Sequence, residues 1–172
     1  MMVARSEVVF VGGRSGVGKT SVGNEMHAQL SAAGVKHCLI EGDNLGLGYP
    51  PPSDHGVAEQ NLAAMWANYR AAGYRRLIYT NTASVRNVDQ LTEAMRDDPR
   101  VTAVLLTAGD ETARERLARR EAGTTYELHV RRSDVAAREL ERLSPDWVHR
   151  VPTDGRAVAD IAAEVIGLAA WT

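Results

Sequence analysis

Between a continuous apolar run, Val8-Val9-Phe10-Val11, and a stretch of helical periodicity, the chain places Gly13-Arg14-Ser15-Gly16-Val17-Gly18-Lys19-Thr20. No other feature restricts the fold so strongly. Apolar residues without alternation suit a central strand buried on both faces. After the glycines, Val22, Met26, Leu30 and Ala33 recur at helical spacing, and Gly34 supplies a stop. Glycines let the connecting backbone curl so that successive N–H groups turn inward. A strand that runs through such a loop into a helix N-terminus is an anion cradle, because the loop N–H groups and the positive end of the helix dipole converge.

The spacing matches G-x-x-x-x-G-K-[ST] in full and in its strand–loop–helix context, the pattern that holds the phosphates of ATP or GTP with magnesium. Lys19 is expected to neutralise the β- and γ-phosphates and the Thr20 hydroxyl to help hold Mg²⁺. The phosphate-contacting set is expected to be Gly13, Arg14, Ser15, Gly16, Val17, Gly18, Lys19, Thr20 and Ser21.

Short apolar runs then alternate with helical periods, which implies an α/β layer architecture. Further strands are expected at His37–Ile40, Leu77–Thr80, Val101–Leu106 and, briefly, near Trp147–Val151. Helices are expected where Leu62, Met65, Trp66, Tyr69 and Ala72 share a face, from Val88 to Met95, and where Val158, Ile161, Ala162, Val165 and Leu168 do. Two charged helices flank a break at Gly123-Thr124-Thr125, while the glycines and Pro50-Pro51-Pro52 exclude regular structure from Leu45 to Gly56. The result is one domain over residues 1–172, with a five-stranded, mainly parallel sheet covered by helices on both faces.

Bulk properties exclude several function classes. A chain of 172 residues supports one good core, and a net charge of −2 asks for no nucleic acid and no membrane partner. Cys38 is the only cysteine, so no internal disulfide forms; Cys38 reads as a small hydrophobe on a buried strand. The five histidines show no metal-ligand spacing, and no apolar stretch reaches the roughly 20 residues of a spanning helix. A soluble, cytoplasmic protein is expected.

A second carboxylate stands where the ligand crevice of an open α/β sheet belongs. Asp43, in Glu41-Gly42-Asp43-Asn44, lies just beyond the carboxyl end of the second strand. There it is placed to take a proton from an attacking hydroxyl or to hold magnesium through water, although Gly-Asp-Asn is also ordinary turn chemistry.

The glycine loop together with Glu41–Asn44 resembles the pairing in small P-loop kinases such as adenylylsulphate kinase, gluconate kinase and the chloramphenicol phosphotransferase group. That resemblance implies the sheet order 2-3-1-4-5, an ATP-dependent phosphotransferase, and an Asp43 that meets the substrate hydroxyl. It also implies an acceptor-binding segment within residues 45–72, where Tyr49, Asp54 and His55 are candidates. The third strand ends in Thr80-Asn81 rather than in the aspartate of a Walker B motif, so Mg²⁺ would rest on Thr20, phosphate oxygens and water, with Asp43 in its outer shell.

Arginines complete the pattern. In the helix from Asp110 to Glu121, Asp110–Arg114 and Glu115–Arg119 are acid-first i,i+4 pairs of a solvated face. Arg116 and Arg120 sit i,i+4 to one another with no acid at i±3 or i±4, which is unfavourable unless an anion meets them, and a polyphosphate is such an anion. The run Arg116-Leu117-x-x-Arg120 is similar to the lid entrance of gluconate and nucleotide kinases. A lid over residues 121–132 is therefore expected, with Arg131 and Arg132 closing from the far side. Arg86 is a candidate for an anionic group of the acceptor, Pro152–Gly155 for the border of the base; Trp66 and Tyr69 read as core.

The sequence supports a kinase using ATP and Mg²⁺ on a hydroxyl or phosphate of a small molecule, with Lys19, Asp43, Arg116 and Arg120 as catalytic residues. A nucleotide-dependent switch or slow ATPase acting on a protein partner is the alternative. Neither the acceptor nor the oligomeric state is legible.

Overall fold

The alternation of side chains along β1 (Glu7–Gly12) sets the layering, because Val8 and Phe10 face one side of the sheet and Val9 and Val11 the other. The computed structural model describes residues 4–52, 56–120 and 124–171. After the glycine loop come α1 (Lys19–Ala32), β2 (Cys38–Glu41), α2 (Val57–Ala71), β3 (Arg76–Thr80), α3 (Val88–Met95) and β4 (Arg100–Thr107). They are followed by α4 (Asp110–Arg120), α5 (Thr124–Leu143), β5 (His149–Pro152) and α6 (Val158–Ala169). Single 3-10 turns lie at Gly42–Asn44 and Ser84–Arg86.

All strand pairs are parallel, in the order β2-β3-β1-β4-β5. This is the doubly wound arrangement that parallel strands and crossover helices impose, with helices on both faces. On one face Val8, Phe10, Leu77, Tyr79 and Leu105 pack with Leu62 and Trp66 of α2, Leu91 and Met95 of α3, and Leu140 of α5. On the other, Val9, Val11, Ile78, Val104 and Leu106 pack with Val22, Met26 and Leu30 of α1 and Ile161, Val165 and Ala169 of α6. Trp66 is 1% exposed and donates its indole N–H to Asp97, as a core tryptophan should.

Boundaries move where apolar pattern and local geometry disagree. The last strand begins at His149, two residues past the expected start, and Trp147 remains exposed. In α6 the buried stripe runs through Ile161, Val165, Ile166 and Ala169, leaving Val158 in solvent. Ala33 and Ala72 fall just past their helices as exposed caps. Of the expected lid over 121–132, Glu121, Ala122 and Gly123 lie outside the described residues, and Thr124 to Arg132 are the first turns of α5.

Parallel strands bring β1, β2 and β3 to the same carboxyl edge. In register, Val11 stands beside Thr80 and Thr80 beside Glu41, all directed to the face that α1 covers. That register carries Glu41 to the first turn of α1.

Candidate phosphate and acceptor site

The loop between β1 and α1 takes the expected curl, with positive φ at Gly13, Gly16 and Gly18. Gly16 is required twice over: its φ is 84°, and a Cβ there would stand 2.8 Å from the Ala113 carbonyl of α4. The loop thus rests directly on α4, the helix that bears the arginines.

Lys19 is almost buried, and its ammonium donates to the carbonyls of Gly13 (2.8 Å) and Arg14 (3.2 Å). Burial lowers its pKa from the ordinary lysine value, while the carboxylates of Asp43 and Glu41 pull it back up. An ammonium held by two neutral carbonyls next to an open cavity is poised to turn towards an anion.

A cavity of about 430 Å³ brings Ser15, Gly16, Gly18, Lys19, Thr20 and Ser21 together with Asp43, Arg116 and Arg120. Most of the expected site is therefore one surface. Gly13 and Val17 are buried beneath it, and the side chain of Arg14 turns away from it into the protein. A larger groove, about 610 Å³, runs along α2 to Asp97, just ahead of β4 at the other end of the sheet, with no glycine loop beside it.

Asp43 is exposed, and its carboxylate accepts the backbone N–H of Thr82 at 3.1 Å. That contact joins the ends of β2 and β3 and fixes where the carboxylate points. Gly42 is held by a close approach as well, since a Cβ there would lie 2.4 Å from Cζ of the buried Tyr79.

The two expected polyphosphate arginines divide. Arg120 lines the cavity and pairs with no carboxylate among the described residues. Arg116 donates to Val17 O (3.0 Å), Gly16 O (3.4 Å), and Thr153 Oγ1 (3.0 Å). Its guanidinium therefore ties the glycine loop to the β5–α6 connection. There Asp154 is held below the usual carboxylate range by the Thr112 hydroxyl, the Gly109 N–H and more distantly Arg116.

Other expectations change partners. Arg114 pairs with Asp134 of α5 at 2.8 Å, and Asp110 pairs with Arg14 instead of with Arg114. Arg86 pairs with Glu139 of α5 at 3.4 Å. Tyr49 is fully exposed; Asp54 and His55 lie outside the described residues; Arg131 and Arg132 are exposed on α5. The Cys38 thiol is pushed up to about 12 by burial, which leaves it unreactive.

Glu41 is the residue that sequence reasoning passed over. Its carboxylate accepts the Thr20 hydroxyl at 3.1 Å, at the position where Mg²⁺ is expected. The signal was available in strand period: in register, Glu41 of β2 lies beside Thr80 of β3, and Thr80 beside Val11 of β1, on the face that α1 covers. Among the described residues no group of three His, Cys, Asp or Glu side chains forms a metal cluster. The donor set suits a hard cation completed by phosphate oxygens and water.

The family model for adenylylsulphate kinase matches residues 5–52, which span β1, the glycine loop, α1, β2 and the Glu41–Asn44 turn. No curated protein sequence matches the chain. A gluconokinase from Sinorhizobium meliloti 1021 is similar in structure, with TM-score 0.63 and 22% identity over 97% of this chain and 94% of that one. The Deinococcus radiodurans tunicamycin resistance protein gives TM-score 0.65 and 21% identity over 95% of each chain. The Mycobacterium tuberculosis APS kinase, solved with AMPPNP and APS, gives 0.61 and 20% over 96% of this chain and 98% of that one. The fold is that of the P-loop kinases. No helix among the described residues is long and apolar enough to cross a membrane.

Proposed function

We propose that this protein is an ATP-dependent phosphotransferase that moves the γ-phosphoryl group to a hydroxyl or phosphate of a small molecule. The observation that carries the reading is the pairing of Lys19 and Thr20 with Asp43 across one cavity, with Thr20 already hydrogen-bonded to Glu41. The kinase fold of the neighbours and an APS kinase solved with AMPPNP support it.

In this reading the N–H groups from Arg14 to Thr20 bind the phosphates, and Lys19 leaves the carbonyls of Gly13 and Arg14 for the β- and γ-oxygens. Bound Mg²⁺ neutralises charge on the β- and γ-phosphates; Thr20 would hold it directly, with Glu41 and Asp43 orienting its waters. Asp43, aimed by the Thr82 N–H, accepts the proton of the acceptor hydroxyl. As the acceptor oxygen bonds to the γ-phosphorus, the bond from that phosphorus to the β–γ bridging oxygen breaks, and ADP leaves with the electron pair. Arg120 supplies positive charge to the γ-oxygens, where a loose transition state carries most of it, and Arg116 keeps the loop shaped.

Asp43→Asn tests the assignment. Calorimetric affinity for Mg·ATP should stay within about threefold of wild type, while transfer to an acceptor should fall by roughly 10²–10⁴-fold. Equal turnover by the variant would remove Asp43 from the mechanism.

A further inference from the structure

The second residue of the glycine motif is free to vary in the G-x-x-x-x-G-K-[ST] pattern, so phosphate binding as such does not call for an arginine at position 14. Here an arginine occupies it, and its side chain is 3% exposed. Each of the three guanidinium nitrogens has a partner. Nε donates to Ser133 Oγ at 2.9 Å, Nη1 to Asp110, and Nη2 to Asp134. Ser133 in turn donates its hydroxyl to the Ser15 carbonyl at 2.8 Å, and the second oxygen of Asp134 accepts from Arg114.

The backbone of the same residue is a node in the cradle. The Arg14 carbonyl accepts the Lys19 ammonium at 3.2 Å and the Val17 N–H at 3.2 Å. One residue therefore fixes the loop's curl from above and is itself fixed from below by α4 and α5. A buried ionic network is an expensive way to gain stability but an effective way to specify one geometry. An apolar side chain here would have filled the same space without the desolvation cost.

The helix at the other end of the network also meets the turn after β3. α5 holds Arg14 and the Ser15 carbonyl through Ser133 and Asp134, and one to two turns later Glu139 pairs with Arg86 beyond β3. Leu140 of the same helix is buried in the apolar cluster with Val85, next to Arg86. The Arg86 turn and the phosphate loop thus both rest on α5.

We propose that Arg14 is a positioning residue, clamped by Asp110, Ser133 and Asp134, that holds the phosphate loop in its binding curl and makes α5 respond to nucleotide. The proposal rests on the kinase reading only for the identity of the ligand. Nucleotide pulls Lys19 off the Arg14 carbonyl, and the guanidinium passes that displacement to α5 and so to the Arg86 turn.

The experiment combines calorimetry with Mg·AMPPNP and amide hydrogen exchange on the full chain, for wild type, Arg14→Gln, Arg14→Lys and Asp110→Asn. In wild type, Mg·AMPPNP is expected to slow exchange both in residues 13–20 and in residues 133–140. Arg14→Gln should weaken Mg·AMPPNP tenfold or more and abolish the protection of 133–140 while keeping part of that at 13–20. Arg14→Lys should recover part of the affinity, because an ammonium reaches one carboxylate at a time. Arg14→Gln that binds within twofold of wild type, or that keeps nucleotide-dependent protection of 133–140, overturns the proposal.

Asp110 is half exposed, so Asp110→Asn keeps the fold even if Arg14→Gln does not. It should weaken Mg·AMPPNP two- to fivefold, and no change in affinity or exchange would equally overturn the clamp. Failure of wild type to bind Mg·AMPPNP would instead remove the kinase reading. The clamp would then stand or fall on whether the Arg14 and Asp110 variants speed exchange of residues 15–20 in the unliganded protein.

Discussion

Adding one methyl group at Gly42 should separate acceptor positioning from nucleotide binding. A Cβ at that residue would lie 2.4 Å from Cζ, 2.5 Å from Oη and 2.7 Å from Cε1 of Tyr79. Tyr79 is 1% exposed and packs edge-on against Phe10 with ring centroids 5.7 Å apart, so its ring has no free space to enter. An ordinary carbon–carbon contact of about 3.5 Å requires the ring and the Gly42 backbone to part by about 1 Å. Overpacking of this kind costs about 1–3 kcal/mol, which lowers the melting temperature of a domain this size by about 2–12 °C. The neighbouring Asp43 moves with the backbone, and a misplacement of about 1 Å in a reacting group costs roughly 10²-fold in rate. Gly42→Ala should therefore lose about two orders of magnitude in acceptor phosphorylation while Mg·ATP affinity stays within about threefold. The double variant Gly42→Ala/Tyr79→Leu, which removes the ring, should regain much of the lost turnover relative to Tyr79→Leu alone. Gly42→Ala with turnover within twofold of wild type and an unchanged melting temperature would refute the reasoning.

Three further outcomes follow from the site. Lys19→Ala should weaken Mg·ATP by about 2–5 kcal/mol, roughly thirtyfold or more, in calorimetry; unchanged affinity would remove the phosphate assignment. Arg120→Ala should lower turnover at saturating substrates by roughly 10²-fold or more with little change in Mg·ADP binding, whereas untouched turnover would return Arg120 to an ordinary surface role. Asp134 is held below its ordinary pKa first by its hydrogen bond to Arg114 and then by that to Arg14. A depressed folded-state pKa contributes stability that is full above the unfolded value of about 3.9 and is lost as pH falls through the lower folded one. Acid unfolding should thus steepen below about pH 4, and Asp134→Asn should flatten that limb; equal acid limbs would contradict the shift.

What the sequence disclosed and what it withheld divide along the range of the interactions. The Val88–Met95 helix, the buried runs of β1 and β4 and the glycine loop are visible because periodicity, breakers and motif spacing are local. The sheet order followed from resemblance to P-loop kinases, since spacing alone admits other orders. Asp110 and Arg114 sit at ideal helical spacing, yet both choose distant partners, because a buried guanidinium and a buried carboxylate need pairing more than two exposed groups do. Arg14 gave no signal at all: its partners at 110, 133 and 134 adjoin it only once α4 and α5 have packed under the loop. Glu41 was legible in principle from strand period, but only after its strand was known to lie two places from β1.

The most direct test of the kinase reading is ³¹P NMR of Mg·ATP with a panel of acceptors spanning nucleosides, nucleotides, sugar acids, sulfated nucleotides and hydroxyl-bearing antibiotics, with Asp43→Asn as control. A kinase should show loss of the γ-phosphate signal with growth of ADP and a new phosphoryl resonance for one acceptor class, absent in the variant. Bound Mg·ATP that yields only slow inorganic phosphate with every acceptor, equally in wild type and Asp43→Asn, would contradict it and favour a nucleotide-dependent switch.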